Sequence, residues 1–259
     1  MSKFTTITAK VEEDGIALIE LNRPKVLNAI NRSMVSELLS AFEQFDRDGR
    51  VKAIVLTGNN RAFAAGADID EMMNDDAITL ELLNQFKDWD QLHTIKKPII
   101  GAVSGYCFGG GFELALCCDI LFASEKAQFG FPEIKLGVMP GAGGTVKLTK
   151  LMGQKKALEW LWLGEPMSAK EAHQHGVINR VVAPELVLEE AVKFARTIAS
   201  KAPLSLRLIK ETVYKAVDDS VLDGMQFERK NFYLLFSSED QKEGMKAFAE
   251  KRRANFKGK

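Results

Sequence analysis

Three glycine-rich loops, each following a short apolar run, most strongly limit how this chain can fold. AFAAGAD follows AIVLT, GYCFGGG follows IIGAV, and FGFPEIKLGVMPGAGG follows DILFAS. Short apolar runs bounded by glycine-rich loops predict buried strands, and strands that alternate with helical segments predict an α/β sheet with helices packed on it. Ligands of open α/β sheets bind beyond the carboxyl ends of the strands, so we expect the three loops to meet over one site.

The segments around these loops have recognisable patterns of their own. ITAKVEEDGIALIEL alternates apolar and polar residues on both sides of Asp14-Gly15, which predicts a hairpin. Ser33 is the expected N-cap of a helix. The apolar face of that helix has helical spacing and consists of Met34, Val35, Leu38, Phe42 and Phe45. A second helix is expected over residues 79–93.

Beyond about Pro166 the pattern becomes helical. Helices are predicted over residues 168–175, 184–200, 203–217, 220–236 and 238–253, and VINRVV is the one interruption. The sequence therefore predicts an α/β core followed by a helical C-terminal part, whose helices are candidates for oligomer contacts.

Composition excludes several classes of partner. The 35 basic and 35 acidic residues give a net charge of +0, which offers no electrostatic argument for a nucleic-acid or membrane partner. No apolar run reaches the ~20 residues of a membrane span, and MSKFTTITAKVEEDG lacks a signal-peptide core, so we expect a cytoplasmic protein. The three cysteines lack metal-ligand spacing, and no metal is expected. The basic tail KRRANFKGK leaves an RNA-binding or scaffolding role as the non-enzymatic alternative.

The triple glycine Gly109-Gly110-Gly111 predicts an anion site. These residues end a predicted strand and begin a helix, so their amides are among the unsatisfied donors of a helix N-terminus. A second donor from the AAGAD loop would complete an oxyanion hole. The spacing matches neither GxxxxGK[ST] nor GxGxxG, so it gives only weak support to phosphate or dinucleotide binding. The alternative is that these glycines serve only tight turns and close packing.

Two carboxylates accompany these loops. Glu113 stands in an apolar run and, three residues after Gly110, lies on the same helical face as that glycine. Glu133 follows Phe131-Pro132 in the third loop. Two carboxylates beside an oxyanion hole, with apolar walls that raise their pKa, predict a general acid/base pair. The alternative is structural, for example an ion pair of Glu133 with Lys135.

Almost the whole chain resembles the enoyl-CoA hydratase/isomerase (crotonase) family. The resemblance is carried by NRPKVLNAI, RAFAAGADIDEM, KPIIGAVSGYCFGGGFELALCCDI, AQFGFPEIKLGVMPGAGGT and EDQKEGMKAFAEKRRANFKGK. It implies a spiral α/β core of repeated ββα turns over residues 1–195. It also implies a helical trimerisation region over residues 196–259 and a homo-hexamer made of two trimers.

The resemblance implies a role for individual positions. The oxyanion hole would be the amides of Ala67 and Gly110, and Glu113 and Glu133 would be the catalytic acids, which share a water. Gly141 matches an amide near the attacking water. The residues expected to hold coenzyme A are Lys25, Val26, Leu27, Ala65, Ala67, Asp68, Ile69 and, from a neighbouring subunit, Phe232 and Lys251.

The activity that this resemblance implies is that of a hydro-lyase. Water would add to trans-2-enoyl-CoA to give 3-hydroxyacyl-CoA, as in fatty-acid β-oxidation, with Glu113 as base and Glu133 as acid. No metal or redox cofactor is implied, since coenzyme A arrives with the substrate. The alternatives are a hydratase of a branched or dehydroadipyl-type enoyl-CoA, or an isomerase, whose family members commonly keep one acid. A serine hydrolase built on Ser104-Gly105 is a weak alternative, because GxSxG is missing there.

Overall fold

The computed structural model describes residues 4–259, and its strands form two sheets. The first sheet has six strands in the order β1-β2-β3-β5-β7-β10. The second has four strands in the order β4-β6-β8-β9. The strands are β1 (Ile7–Val11), β2 (Ile16–Leu21), β3 (Ala53–Thr57), β4 (Ala62–Ala64), β5 (Ile99–Val103), β6 (Tyr106–Phe108), β7 (Ile120–Ser124), β8 (Gln128–Gly130), β9 (Met167–Ser168) and β10 (Arg180–Val182).

The two sheets grow together along the chain. β3, β5 and β7 each add a parallel strand to the large sheet, and β4, β6 and β8, which follow them, add parallel strands to the small one. A helical segment follows each pair, so the core is a spiral of ββα turns, as expected. The predicted hairpin is confirmed, because β1 and β2 pair antiparallel and turn at Gly15, whose φ is +84°.

Twelve α-helices are present in residues 4–259. They are α1 (Arg32–Arg47), α2 (Ile69–Met72), α3 (Ala77–Leu83), α4 (Phe86–Leu92), α5 (Gly110–Ala115), α6 (Gly144–Met152), α7 (Gln154–Leu163), α8 (Ala169–Gln174), α9 (Val187–Ala199), α10 (Pro203–Ala216), α11 (Val221–Leu235) and α12 (Glu239–Ala249). None of them, within the part of the chain that is described, has the length and apolar character needed to cross a bilayer.

The predicted helices differ from the observed ones in several details. The predicted apolar face of α1 is buried, but its N-cap is Asn31 and not Ser33, since the Asn31 side chain accepts a hydrogen bond from the Met34 amide at 3.0 Å. The single helix expected over residues 79–93 is instead α3 and α4, separated where Asn84 adopts a left-handed conformation with φ +44°. Helices α6 and α7 were not predicted, and α12 ends earlier than expected.

The core lies on both faces of the large sheet. All five residues of β3 and all five of β5 are buried. Helix α9 packs on one face through Val187, Ala191 and Ala195, and α1 belongs to the larger apolar cluster on the other side. Helix α9 runs through residue 195, where the sequence predicts the boundary between core and oligomerisation region. That division stays a prediction.

Candidate active site

The three glycine-rich loops meet at one cavity of about 890 Å³, as predicted. Residues 65–69 reach it after β4, Gly109 and Gly110 after β6, and Pro132 and Glu133 after β8. Because β4, β6 and β8 are parallel neighbours of the small sheet, their carboxyl ends share one edge. The ββα spiral therefore assembles the site from segments that are far apart in sequence.

Two backbone amides lie side by side at this edge. Gly110 is the first residue of α5, and a Cβ built on it would lie 3.6 Å from the Ala67 nitrogen. Within residues 4–259, neither the Ala67 nor the Gly110 amide donates to a backbone carbonyl. Ala67 is held by a bridge to Ile30, which donates to Gly66 at 2.8 Å and accepts from Asp68 at 2.9 Å. Both amides are free to bind one oxygen of a ligand.

Glu113 is buried on α5 with 4% of its surface exposed. Its Oε1 accepts hydrogen bonds from the amides of Ala142 at 2.7 Å and Gly144 at 2.8 Å. These donors lie at the N-terminus of α6, where unpaired amides and the helix dipole favour a negative charge. Burial raises the pKa of Glu113, and the two amides and the Lys147 ammonium oppose that rise. The acid in the apolar run is thus stabilised by two backbone donors, which the sequence analysis does not predict.

Glu133 has a different environment. It lies in the 3-10 segment Pro132–Leu136, and its Oε2 is buried without a hydrogen-bond partner among residues 4–259. Burial, together with the neighbouring charge of Glu113, raises its pKa to about 7. The alternative of an ion pair between Glu133 and Lys135 is wrong, because the Lys135 ammonium pairs with Glu165 at 2.8 Å instead.

Gly109 makes room for Glu133. Its φ is +50°, which an L side chain rarely adopts, and a Cβ at this position would lie 2.8 Å from Glu133 Oε1. Close approach to Glu133 therefore explains the first glycine of the triple, and the second provides an amide with no backbone acceptor among residues 4–259. The choice between an oxyanion hole and glycines that serve only tight turns and close packing stays a prediction.

The residues expected to bind the substrate or its coenzyme A divide into three groups. Those that line the cavity are Ala65, Ala67, Asp68, Ile69, Gly110 and Gly141. Lys25, Val26 and Leu27 do not line it, but their loop adjoins it, since the Ala65 amide donates to the Leu27 carbonyl at 3.0 Å. Phe232 on α11 and Lys251 after α12 are exposed and lie outside this chain's cavity.

Sequence reasoning missed the residues that support the acids. Ala142 and Gly144 hold Glu113, and the Lys147 ammonium, which donates to Cys117 Sγ at 3.2 Å, opposes the rise in the pKa of that acid. Gly141 lies against the ring of Phe86, whose Cζ would be 2.8 Å from a Cβ on that glycine. The dense glycine spacing of PGAGG was a usable signal, since it indicates backbone that approaches another group closely.

The comparisons with known proteins all indicate the same family. A family model described as enoyl-CoA hydratase/isomerase matches residues 11–259. The mitochondrial enoyl-CoA hydratase of Pongo abelii is 48% identical, over 95% of this chain and 85% of that protein. A probable enoyl-CoA hydratase of Rhizobium meliloti (strain 1021) is 47% identical, over 96% and 98%. A crystal structure titled enoyl-CoA hydrates subunit I, from Geobacillus kaustophilus HTA426, superposes with a TM-score of 0.97 at 62% identity and covers 100% of both chains.

Proposed function

The chain belongs to the enoyl-CoA hydratase/isomerase family, and on that premise we propose how its cavity performs hydration. The protein is an enoyl-CoA hydratase, a hydro-lyase that adds water across the double bond of a trans-2-enoyl-CoA. The observation that carries this function is that Glu113 and Glu133 face one cavity beside the unused amides of Ala67 and Gly110.

The two amides are assigned to the thioester carbonyl oxygen. Attack at C3 moves electron density onto that oxygen, and donors aimed at it in advance stabilise the enolate-like transition state. The free amides of Ala67 and Gly110 support this assignment, because α5 and the Ile30 bridge fix both without occupying either. One such donor contributes about 3–4 kcal/mol to a transition state.

The environments of the two acids suggest different roles. Glu113 receives two amide donors and a nearby ammonium, which favour its carboxylate form and suit a base. Glu133 has an unpartnered, buried oxygen and a pKa raised to about 7, so much of it is protonated at neutral pH and suits an acid. In acid/base pairs of this kind, the two carboxyl groups commonly lie in environments that move their pKa values apart.

The proposed reaction consists of two proton transfers, followed by a third that restores the starting protonation state. Glu113 takes a proton from water as the water oxygen bonds to C3, and the C2–C3 π electrons move toward the carbonyl oxygen. Glu133 delivers its proton to C2 as the carbonyl re-forms, which completes the 3-hydroxyacyl-CoA. One proton then passes from Glu113 to Glu133 to restore the starting state. No resident cofactor is proposed, since every group in these steps belongs to the chain, the water or the substrate.

The alternatives are less well supported. An isomerase needs only one acid, whereas both acids here share the cavity. Ser104, the candidate nucleophile of a hydrolase, does not line it. The basic tail is folded back, since buried Asp240 accepts the amides of Lys257 at 2.7 Å and Gly258 at 2.8 Å, which argues against a free RNA-binding arm.

We further propose the homo-hexamer, with Phe232 and Lys251 reaching a neighbouring subunit's coenzyme A. This is supported by large exposed apolar side chains on the C-terminal helices, namely Ile209, Val213, Val217, Val221, Leu222, Tyr233 and Phe248. Exposed apolar area of this extent is typical of an interface. Sedimentation of the purified chain tests the assembly, and a monomer at micromolar concentration would contradict it. A role in fatty-acid breakdown and a cytoplasmic location stay predictions.

The reaction is tested with isotopic water. Crotonyl-CoA incubated with the protein in H₂¹⁸O is expected to give 3-hydroxybutyryl-CoA that carries one ¹⁸O, identified by mass spectrometry. A trans-3-enoyl-CoA serves as the matched isomerase substrate. Rapid conversion of the trans-3 substrate with no ¹⁸O gain from crotonyl-CoA would replace the hydratase assignment with an isomerase.

A further inference from the structure

One wall of the cavity is formed by residues 69–85, which comprise α2, α3 and their linkers. Met72, Leu80 and Leu83 of this wall line the cavity. Neither α2 nor α3 contains a buried residue, and Ile78 and Leu82 are 73% and 80% exposed. A segment that buries so little apolar surface gains little stability from packing and opens easily.

Both ends of this wall are fixed by other means. On the N-terminal side, Ala67 and Asp68 are tied to Ile30 by the parallel bridge. On the C-terminal side, α4 buries Trp89 and Leu92 against the core. The wall between these points therefore depends on its own contacts to stay in place.

Those contacts converge on Arg32, the first residue of α1. The Arg32 backbone amide donates to Glu71 Oε2 at 2.8 Å, and its Nε donates to Gln85 Oε1 at 3.1 Å. Its Nη2 forms a close ion pair with Asp75, whose side chain is only 13% exposed. In the described part of the chain, every side-chain hydrogen bond that joins residues 69–85 to another element goes to Arg32.

The three contact points are spread along the wall. Glu71 belongs to α2, Asp75 to the linker between α2 and α3, and Gln85 to the linker between α3 and α4. The guanidinium binds Asp75 and Gln85, because its planar donors reach several acceptors at once in fixed directions, whereas Glu71 is bound by the backbone amide, which a substitution of the side chain leaves in place. Arg32 also lines the cavity, where its Nε and Nη2 are engaged by the wall.

We propose that Arg32 anchors the wall formed by residues 69–85 and thereby limits the length of the acyl chain that the cavity accepts. This inference rests on the proposed function, since it assigns the apolar wall to the acyl part of an enoyl-CoA. With the anchor in place, the wall packs on short chains. Without it, the wall moves outward, short chains lose contacts and longer chains gain room.

The test compares Arg32→Met with Arg47→Met. Both substitutions remove an arginine from α1, but Arg47 pairs with Glu43 at the surface, at 3.1 Å, and makes no hydrogen bond or ion pair with the wall among residues 4–259, so it serves as the matched control. Asp75→Asn is a second variant that removes the ion pair while Arg32 stays. Each variant and the unchanged chain are assayed with trans-2-enoyl-CoAs of four, eight and twelve carbons, and backbone hydrogen exchange is followed by mass spectrometry.

Two results are expected of Arg32→Met. Amides of residues 69–85 exchange about tenfold faster, the factor that corresponds to loss of a hydrogen bond to a charged group, while the rest of the chain is unchanged. The ratio of kcat/KM for the twelve-carbon over the four-carbon substrate rises severalfold in both Arg32→Met and Asp75→Asn, and stays constant in Arg47→Met.

The outcomes separate this inference from the proposed function. If the unchanged chain hydrates none of the substrates, the function fails, and hydrogen exchange alone decides the anchor. Unchanged exchange in residues 69–85 of Arg32→Met overturns the anchor. Faster exchange with an unchanged chain-length ratio overturns the claim that the anchor sets acyl-chain length.

Discussion

Replacing Glu133 by Gln is expected to stabilise the protein at pH 8 and to have little effect at pH 5. The carboxyl has a pKa of about 7 in the folded chain against an ordinary value of 4.5, because it is buried beside Glu113. Below pH 4.5 it is protonated in both the folded and unfolded states and contributes nothing. As pH rises from 4.5 to 7, the unfolded chain ionises first, so stability is lost, and above pH 7 the loss is complete.

The size of the effect follows from that difference. A pKa of about 7 against 4.5 corresponds to roughly 3 kcal/mol of unfolding free energy. Because the side chain is half-buried and partly screened by solvent, we expect about 1–2 kcal/mol. Glutamine has nearly the same shape and no charge, so it keeps the packing and removes the cost of burying a carboxylate.

Urea unfolding at pH 5, 6, 7 and 8, at one protein concentration, measures the effect. Glu243→Gln is the matched control. Arg252 holds the pKa of Glu243 at about 2, so this acid is ionised in both states above about pH 5.5. Its effect on unfolding free energy is expected to stay nearly constant from pH 6 to pH 8. A difference between Glu133→Gln and the unchanged chain that is flat or falls with pH would refute the reasoning.

Substitutions at three further positions test the supports of the site and the core. Lys147→Met removes the cation that opposes the rise in the pKa of Glu113, so the acidic limb of the plot of kcat against pH is expected to move to higher pH. Lys147→Arg keeps the cation and is expected to keep the plot unchanged. An acidic limb that does not move in Lys147→Met would contradict this role. Gly109→Ala puts a methyl 2.8 Å from Glu133 Oε1. Steady-state kinetics are expected to show kcat reduced at least about tenfold, while the circular dichroism spectrum stays unaltered. Full activity would contradict the close approach. Leu38→Ala leaves a cavity at a fully buried position and is expected to lower the free energy of unfolding in urea by about 2–5 kcal/mol. A decrease below about 1 kcal/mol would mean that the core around residue 38 relaxes to fill the cavity.

Much of the architecture is predictable because its signals are local. The apolar runs of β3, β5 and β7 and the helical spacing on α1 mark buried surfaces directly. The three strands of the small sheet that lead to the cavity have only three residues each, which is too few for a periodic pattern, so the sequence does not distinguish them from the loops around them. Asn31 and Ser33 are both good N-caps, and the choice between them depends on where the chain enters the helix.

The candidate site was predictable in its acids and not in their environment. Glu113 stands out because a carboxylate in an apolar run requires an explanation. Its donors, Ala142 and Gly144, lie 29 and 31 residues later, and only the tertiary fold brings them together. Helix α6 was also not predictable, because it begins in a glycine-rich sequence and glycine disfavours helices. The same glycines allow the backbone to approach the Glu113 carboxylate closely. The same limitation applies to Arg32, whose partners on the wall are 39–53 residues away.

The central claim is that Glu113 and Glu133 perform the acid and base steps of hydration. The most direct measurement is the loss of enoyl-thioester absorbance when crotonyl-CoA meets the unchanged chain, Glu113→Gln or Glu133→Gln. We expect rapid loss with the unchanged chain, and kcat lower by about 10²–10⁴-fold in each variant although both stay folded, with Glu133→Gln the more stable protein near neutral pH. Turnover close to that of the unchanged chain in both variants would contradict the account.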